Sequence, residues 1–531
     1  MRNLQLPGRS PAHGVNGMAA SSHTLSTATA VDILRRGGNA MDAAIAACAV
    51  QCVVEPESTG IGGDCFCIYA PGGTDKIIAF NGSGKAPMAA NHEWYMENGF
   101  TAIPRQSPHA SVIPGAVDAW HQLNRDYGKL GLDLLLQPAI NYARKGYPIS
   151  SRVSFDFASQ AEILTRDKNL KRVFMPNGRT LNVGEIHYQP ELATTLEAIA
   201  NKGRDAFYFD EIAEDMVIYL QELGGLHTLE DFSAVKGEYV EPISSKFRGY
   251  DIWECPPNGQ GVIALLLLNI MAGFKTEGVN PLSVERLHLE IEAGRLAYQD
   301  RSIYIADPNH AEIPVTALLS KQHADELRAS INPVQRTINL PKPSLPDHSS
   351  TVYISVVDKD GNACSFINTL FSNFGAGLMA PKSGVVFTNR AQGFVIEPGH
   401  PNCIGPGKRP LHTIIPGLVT QNGRTLMSFG VMGGHYQAFG HMHLLSRLFD
   451  FDHDIQEAQD APRIFPIPGE NTVEMEGGIP SDVIAGLEKL GHNRIAPSKP
   501  IGGSQAIWID HKRGLLTGGS DPRKDGCAIG F

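Results

Sequence analysis

The chain has 531 residues, 42% of them hydrophobic and 19% charged, with a formal net charge of −10 and a pI near 6.0. That composition predicts a soluble globular protein with ample core. It argues against a general polyanion binder, because no run of five basic residues occurs, so nucleic acid is not an expected partner. The opening Met1-Arg2-Asn3-Leu4-Gln5-Leu6-Pro7-Gly8-Arg9 lacks the apolar stretch of a secretory signal. Ala43 to Val54, the most apolar window, contains Gln51 and falls short of the ~20 residues a membrane helix needs. A cytoplasmic location without membrane contact is therefore expected. The eight cysteines form no CxxC pair and read as reduced, mostly buried thiols.

In chain order, Thr24 to Arg36 carries apolar residues at helical spacing and ends at Gly37-Gly38, after which Asn39 suits the N-cap of a nearly all-buried helix from Ala40 to Val53. Gly60-Ile61-Gly62-Gly63-Asp64 predicts a backbone-close turn before a strand from Cys65 to Ala70, serving either tight packing or a pocket floor. Cys65 and Cys67 share one face of that strand without neighbouring ligands, so no metal is assigned to them. Gly82-Ser83-Gly84-Lys85 is not a phosphate loop, since Ala79 and Ala86 stand where that motif requires Gly and Ser or Thr. Amphipathic helices are predicted around Ala116 to Tyr127 and Leu132 to Lys145, a more polar helical region from Ser150 to Leu229, and a strand from Phe247 to Trp253. Pro256 to Gly261 reads as a rigid loop into the apolar helix Val262 to Ala272. Pro333 to Ser350, with Pro341, Pro343 and Pro346, reads as a tether or a plain surface linker.

Thr351 to Asp358 alternates β-branched residues, Lys359-Asp360-Gly361-Asn362 makes a turn, and Ala363 to Leu370 returns as a second strand. If Val357 pairs with Ala363, antiparallel register brings Thr351 opposite Thr369, and a slip of one residue would separate the two hydroxyls. A threonine hydroxyl becomes a nucleophile once a base takes its proton, and the α-amine of the same residue, with a pKa of about 8, can do so after the preceding peptide bond is cut. The pattern thus suits autocatalytic cleavage between Ser350 and Thr351, although a strand that simply begins with threonine has the same residues. Further on, His435, His441 and His443 read as packing, not as metal ligands, because His441 and His443 point to different faces of a predicted helix.

Eight further motifs, in order, carry a resemblance: Gly17-Met18-Ala19-Ala20-Ser21-Ser22-His23, Arg36-Gly37-Gly38-Asn39-Ala40-Met41-Asp42-Ala43, Gly60-Ile61-Gly62-Gly63, Pro256-Pro257-Asn258-Gly259-Gln260-Gly261, Phe374-Gly375-Ala376-Gly377, Lys408-Arg409-Pro410-Leu411, Met432-Gly433-Gly434 and Ser520-Asp521-Pro522-Arg523. With the run from Thr351 to Asn362, the chain resembles, over nearly its whole length, the γ-glutamyltransferase (GGT-like) family of N-terminal-nucleophile hydrolases. The resemblance implies an α+β fold, a four-layer αββα sandwich forming one body. It further implies a large α chain of residues 1–350 and a small β chain of residues 351–531, cut from one precursor and joined as a heterodimer that can pair into a dimer of these. By the same resemblance Thr351 is the nucleophile, Thr369 orients it, and the Gly433 and Gly434 N–H groups hold the tetrahedral oxyanion at a predicted helix start. No metal or organic cofactor is implied.

The γ-glutamyl enzymes hold the amino acid head of their substrate with an Arg, an Asn, an Asp and a Ser-Ser pair. The corresponding positions here are His92 or a near neighbour, Phe371, Gly393 and His412-Thr413. Losing these charge-assisted bonds, at about 1.5–3 kcal/mol each, is enough to abandon γ-glutamyl specificity. The residues then point to a smaller amide with one negative charge, for which Arg390, His412 and His435 are candidate partners, while Arg390 also reads as an ion-pair residue. In this the chain resembles the cytoplasmic amidohydrolase members of the family, including the oxamate amidohydrolase of purine and allantoin breakdown, which releases oxalate and ammonia. The alternatives are a γ-glutamyltransferase, glutathione hydrolase or related acylase, and a non-catalytic binding relative.

Overall fold

The predicted hairpin forms as the strands Val352–Asp358 and Ala363–Thr369, paired antiparallel from Val352 opposite Asn368 to Val357 opposite Ala363. This is the predicted register. Asp358 fixes the turn: its Oδ1 accepts from the N–H groups of Asp360 and Asn362, each at 3.0 Å, and its Oδ2 from Asn362 Nδ2 at 2.7 Å. The same Oδ2 accepts from Ala40 N–H at 2.9 Å, tying the turn to the start of the helix Ala40–Val54. That helix carries the predicted Asn39 cap, completed by Asp42 into a reciprocal capping box, and every one of its residues is buried.

A computed structural model describes residues 8–72, 74, 76–337 and 351–531. The hairpin is the centre of a seven-stranded sheet ordered Cys527–Gly530, Gly17–Ser21, Val352–Asp358, Ala363–Thr369, Asp64–Ala70, Ile78–Gly82, Glu238–Val240. A second seven-stranded sheet runs Ala12–Gly14, Leu515–Ser520, Gly503–Asp510, Arg424–Met432, Pro416–Gln421, Tyr250–Glu254, Ile243–Phe247. All neighbouring strands in both are antiparallel.

Alternation along the hairpin explains the layering. Ile354, Val356, Cys364 and Phe366 pack with Thr24–Arg35 and Ala40–Val54 on the outer face, whereas Tyr353, Val357, Ala363 and Ile367 face Leu418, Met432 and Ile507 of the second sheet. The far side of the second sheet is covered by Gly261–Ala272, Val284–Tyr304 and Tyr436–Phe449. The result is the expected αββα sandwich. Thr351 and Thr369 share the parity of Tyr353 and Ile367, so they belong to the face between the sheets.

Two details differ from the sequence reading. Leu132 to Lys145 is two helices, Leu132–Leu135 and Gln137–Lys145, because Pro138 starts the second one. Phe247 to Trp253 contains a hairpin turn between Ile243–Phe247 and Tyr250–Glu254, made by Arg248 and Gly249 at φ 50° and 86°. Arg-Gly is not among the usual hairpin-turn pairs, so periodicity alone concealed it. Residues 338–350 of the predicted tether lie outside the described residues. All eight cysteines are free and seven are buried. No described helix is long and apolar enough to cross a membrane.

Asp358→Ala should lower stability by about 2 kcal/mol, since it removes the acceptor for a turn and for a helix start together. Chemical denaturation against the parent chain measures this.

Candidate active site

Thr351 Oγ1 lies 3.2 Å from Thr369 Oγ1 in a buried setting. Phe371 N–H donates to Thr369 Oγ1 at 2.8 Å, which occupies one lone pair and leaves the Thr369 hydroxyl to exchange a hydrogen bond with Thr351. Gln437 Nε2, from the first turn of Tyr436–Phe449, reaches Thr351 Oγ1 at 3.4 Å, while its Oε1 accepts from Ile415 N–H. The strand Asp64–Ala70 pairs Asp64 opposite Thr369, and the glycine before it is required by closeness: a Cβ on Gly63 would stand 2.0 Å from the Thr369 carbonyl oxygen. The predicted backbone-close turn therefore abuts the second threonine.

Asp64 gathers the residues the sequence pointed to for substrate contact. Its Oδ2 accepts from His412 Nε2 at 3.1 Å and from Arg390 Nε at 3.4 Å, and its Oδ1 from Gly84 N–H at 2.6 Å. Arg390 Nη1 donates to Thr413 Oγ1 at 3.2 Å, and its guanidinium lies 3.9 Å from the centre of the Phe371 ring. Phe371 adopts φ 79°, rare for a residue with a side chain, and is held there by its N–H bond and by this stacking. All of these side chains are buried. Burial opposes ionisation of Asp64, yet the His412 hydrogen bond and the Arg390 charge hold its carboxyl below the usual range. Burial, and then the Arg390 charge, push His412 down to about 4, so near neutral pH it is an uncharged donor to the carboxylate. Burial lowers Arg390 to about 9 against the pull of Asp64, which leaves it a cation at neutral pH.

Across the intersheet space, the strand Arg424–Met432 ends in Gly433 and Gly434, at φ 122° and 60°, a backbone path that favours glycine at both positions. His435 then leads into the helix Tyr436–Phe449, where a helix start was expected. Gly433 and His435 line a cleft of about 230 Å³ together with Lys499 and Gly502. Gln260 Nε2 supports the turn from behind, donating to Gly434 O at 3.1 Å and to Thr413 O at 2.9 Å. Of the other histidines, His441 Nδ1 meets Glu254 Oε1 at 2.6 Å inside the core. No group of three or more potential metal ligands occurs among the described residues.

The sequence model of the family described as gamma-glutamyltranspeptidase matches residues 26–531. The chain belongs to this family. It is 35% identical to the glutathione hydrolase-like YwrD proenzyme of Bacillus subtilis (strain 168), over 98% of this chain and 99% of that protein. It is also 31% identical to the oxamate amidohydrolase proenzyme of Klebsiella pneumoniae, over 97% and 98% respectively. The crystal structure of cephalosporin acylase from Bacillus halodurans superposes with a TM-score of 0.92 at 36% identity, covering 100% of this chain and 99% of that one. As a gamma-glutamyltranspeptidase family member it is an N-terminal-nucleophile hydrolase acting on amide bonds, and the proenzyme names of its relatives imply a precursor cleaved into two chains.

The structure brings together Thr351 with Thr369, and Phe371 with Arg390, His412 and Thr413, while Gly433, Gly434 and His435 follow the end of the strand Arg424–Met432, with Gly433 and His435 lining the cleft; Ser350 lies outside the described residues. It also describes two of the positions that the resemblance gives as head-group anchors. A Cβ on Gly393 would stand 2.8 Å from Leu411 O, leaving little room for an acid, and His92 starts the short helix His92–Glu97 with its Nε2 3.3 Å from Glu93. Sequence reasoning missed Asp64, Gln260, Gln437 and Lys499. The first two stand inside the quoted glycine-rich motifs, which was the available signal; nothing local marks the others.

Because His412 is held neutral to about pH 4 in the folded chain while an unfolded histidine protonates near 6.5, the unfolded state binds the extra proton between these values and stability falls as pH drops through that window. His412→Gln should reduce the slope of stability against pH between about 6.5 and 4 by up to ~1.4 kcal/mol per pH unit. Denaturation midpoints over that range test it.

Proposed function

We propose that this chain is a self-processing threonine amidohydrolase that cleaves a small carboxylated amide, with oxamate as its substrate. The hydroxyl pair of Thr351 and Thr369 carries the reading, because two threonine hydroxyls 3.2 Å apart at the strand ends of the central hairpin suit a nucleophile and the group that orients it. Cleavage between Ser350 and Thr351 frees the Thr351 amine. That amine takes the hydroxyl proton, Oγ1 attacks the amide carbon, and the Gly433 and Gly434 N–H groups receive the oxyanion. The C–N bond then breaks, the nitrogen collects the proton and leaves as ammonia, and water hydrolyses the threonyl ester to oxalate.

The pocket chemistry supports a small anion. Phe371 and Gly393 offer nothing to an α-ammonium group, and the Phe371 ring fills the space over Arg390. Arg390 Nη2 is buried without a hydrogen-bond partner, a donor suited to a carboxylate, and Lys499 lines the cleft beside Gly433; neutral His412 can only donate or accept hydrogen bonds. A second reading, hydrolysis of a γ-glutamyl or other acyl amide, is favoured by the similarity to the glutathione hydrolase-like proenzyme and to the cephalosporin acylase.

Thr351→Ala should remain a single 531-residue polypeptide with no turnover, while the parent yields a small fragment whose mass starts at residue 351. A processed, active Thr351→Ala chain would exclude the mechanism. Ammonia release from oxamate should exceed p-nitroaniline release from γ-glutamyl-p-nitroanilide by at least about tenfold in kcat/KM, as expected when a charge-assisted partner for the head group is missing. The reverse order would favour the second reading.

A further inference from the structure

Arg301 lies near the end of the helix Val284–Tyr304 and is wholly buried. Its Nη1 donates to Gln260 Oε1 at 2.8 Å and to His435 Nδ1 at 2.9 Å. Its Nε and Nη2 have no hydrogen-bond partner, and among the described residues no carboxylate pairs with it. The Tyr298 ring, centred 4.5 Å from the guanidinium carbon, is its principal compensation. The other buried arginines of this half of the molecule are paired: Arg286 and Arg447 with Glu290, and Arg463 with Asp521. A buried cation without a counter-charge is costly, so its position needs a reason.

Its surroundings supply one. Arg301 holds Gln260, and Gln260 Nε2 holds the carbonyl of Gly434. Arg301 also holds the His435 ring, while Tyr298 Oη donates to the His435 carbonyl and accepts from Phe439 N–H. A ring nitrogen that accepts from a guanidinium carries no hydrogen, so His435 is fixed as the neutral tautomer protonated at Nε2. One unpaired positive charge thus stands a single side chain behind the Gly433-Gly434 turn and fixes both residues that follow Gly433.

We infer that Arg301 is a positioning residue for the oxyanion wall: through Gln260 and His435 it sets the Gly433-Gly434 backbone, and its uncompensated charge favours the negative oxygen of the tetrahedral state. The inference rests on the role proposed above for Gly433 and Gly434, and it is independent of which amide is the substrate.

The test uses mature enzyme and two reactions, acylation by p-nitrophenyl acetate, an activated ester that needs no specificity pocket, and hydrolysis of oxamate. Arg301→Gln, which can keep a hydrogen bond to Gln260 without the charge, should slow the acylation burst by about 10²-fold and lower kcat comparably with KM changed less than about threefold. Arg301→Lys, which keeps the charge, should recover at least about tenfold of that loss. A burst in Arg301→Gln equal to the parent's, or an Arg301→Lys chain no faster than Arg301→Gln, overturns the inference. If Arg301→Gln fails to mature, Gln260→Leu decides: it leaves the charge and cuts the link, and a burst less than about threefold slower than the parent's overturns the inference, whereas a loss near tenfold supports it. A parent enzyme inert to oxamate whose burst still falls in Arg301→Gln would overturn the oxamate reading and leave the inference standing.

Discussion

The meeting of two threonine hydroxyls between two sheets depends on strand register, and the rest of the site is arranged around that constraint. In a hairpin of alternating side chains a slip of one residue would turn Thr351 toward the helical layer and away from Thr369. The register is held by buried hydroxyls that cross the sandwich. Tyr353 Oη bonds Ser365 Oγ at 2.8 Å, Ser355 Oγ bonds Ser428 Oγ at 2.8 Å, and Ser365 Oγ accepts from Gly417 N–H at 2.9 Å. These polar groups between apolar faces are satisfied only in one alignment of the sheets, and that alignment sets Thr351 opposite the end of Arg424–Met432.

Two buried guanidinium groups flank the reaction space and are treated differently by the fold. Arg390 is balanced by Asp64 and shielded by an aromatic ring, so it gives the floor beside Thr369 a defined shape. Arg301, on the other side, has hydrogen bonds and a ring but, among the described residues, no acid. In the mechanism proposed, acyl transfer generates negative charge between these two sides, and a low-dielectric interior makes fixed positive charge count for more there than it would in water.

Much of the fold was legible in the sequence because its signals are local. The Asn39 cap, the apolar run of Ala40–Val54 and the turn after Asp358 each specify their own geometry, and alternation from Thr351 onward fixes which face meets the second sheet. The Arg248-Gly249 turn was hidden since its residues resemble neither a strand end nor a common hairpin pair. In the site, the threonines and the Gly433-Gly434 pair could be found from the hairpin pattern and the family resemblance. Asp64 had only its place at the end of a glycine-rich turn as a signal, and Gln437 and Arg301 had none, because these parts rest on contacts distant in the chain, 326 residues for Asp64 with Arg390, 134 for Arg301 with His435 and 86 for Gln437 with Thr351. Arg390 illustrates the limit: the sequence offered it either as a substrate contact or as an ion-pair residue, and the structure shows the ion pair along with donor capacity that the pair leaves unused.

The stacking of Phe371 on Arg390 also constrains how this pocket can change over evolution. Replacing the ring with a small amide would strip the guanidinium of its cover and leave a left-handed backbone without the contact that holds it, while replacing the arginine alone would strand Asp64 beside a neutral histidine. Neither single step is neutral, so the residue tolerated at position 371 is coupled to the one at position 390.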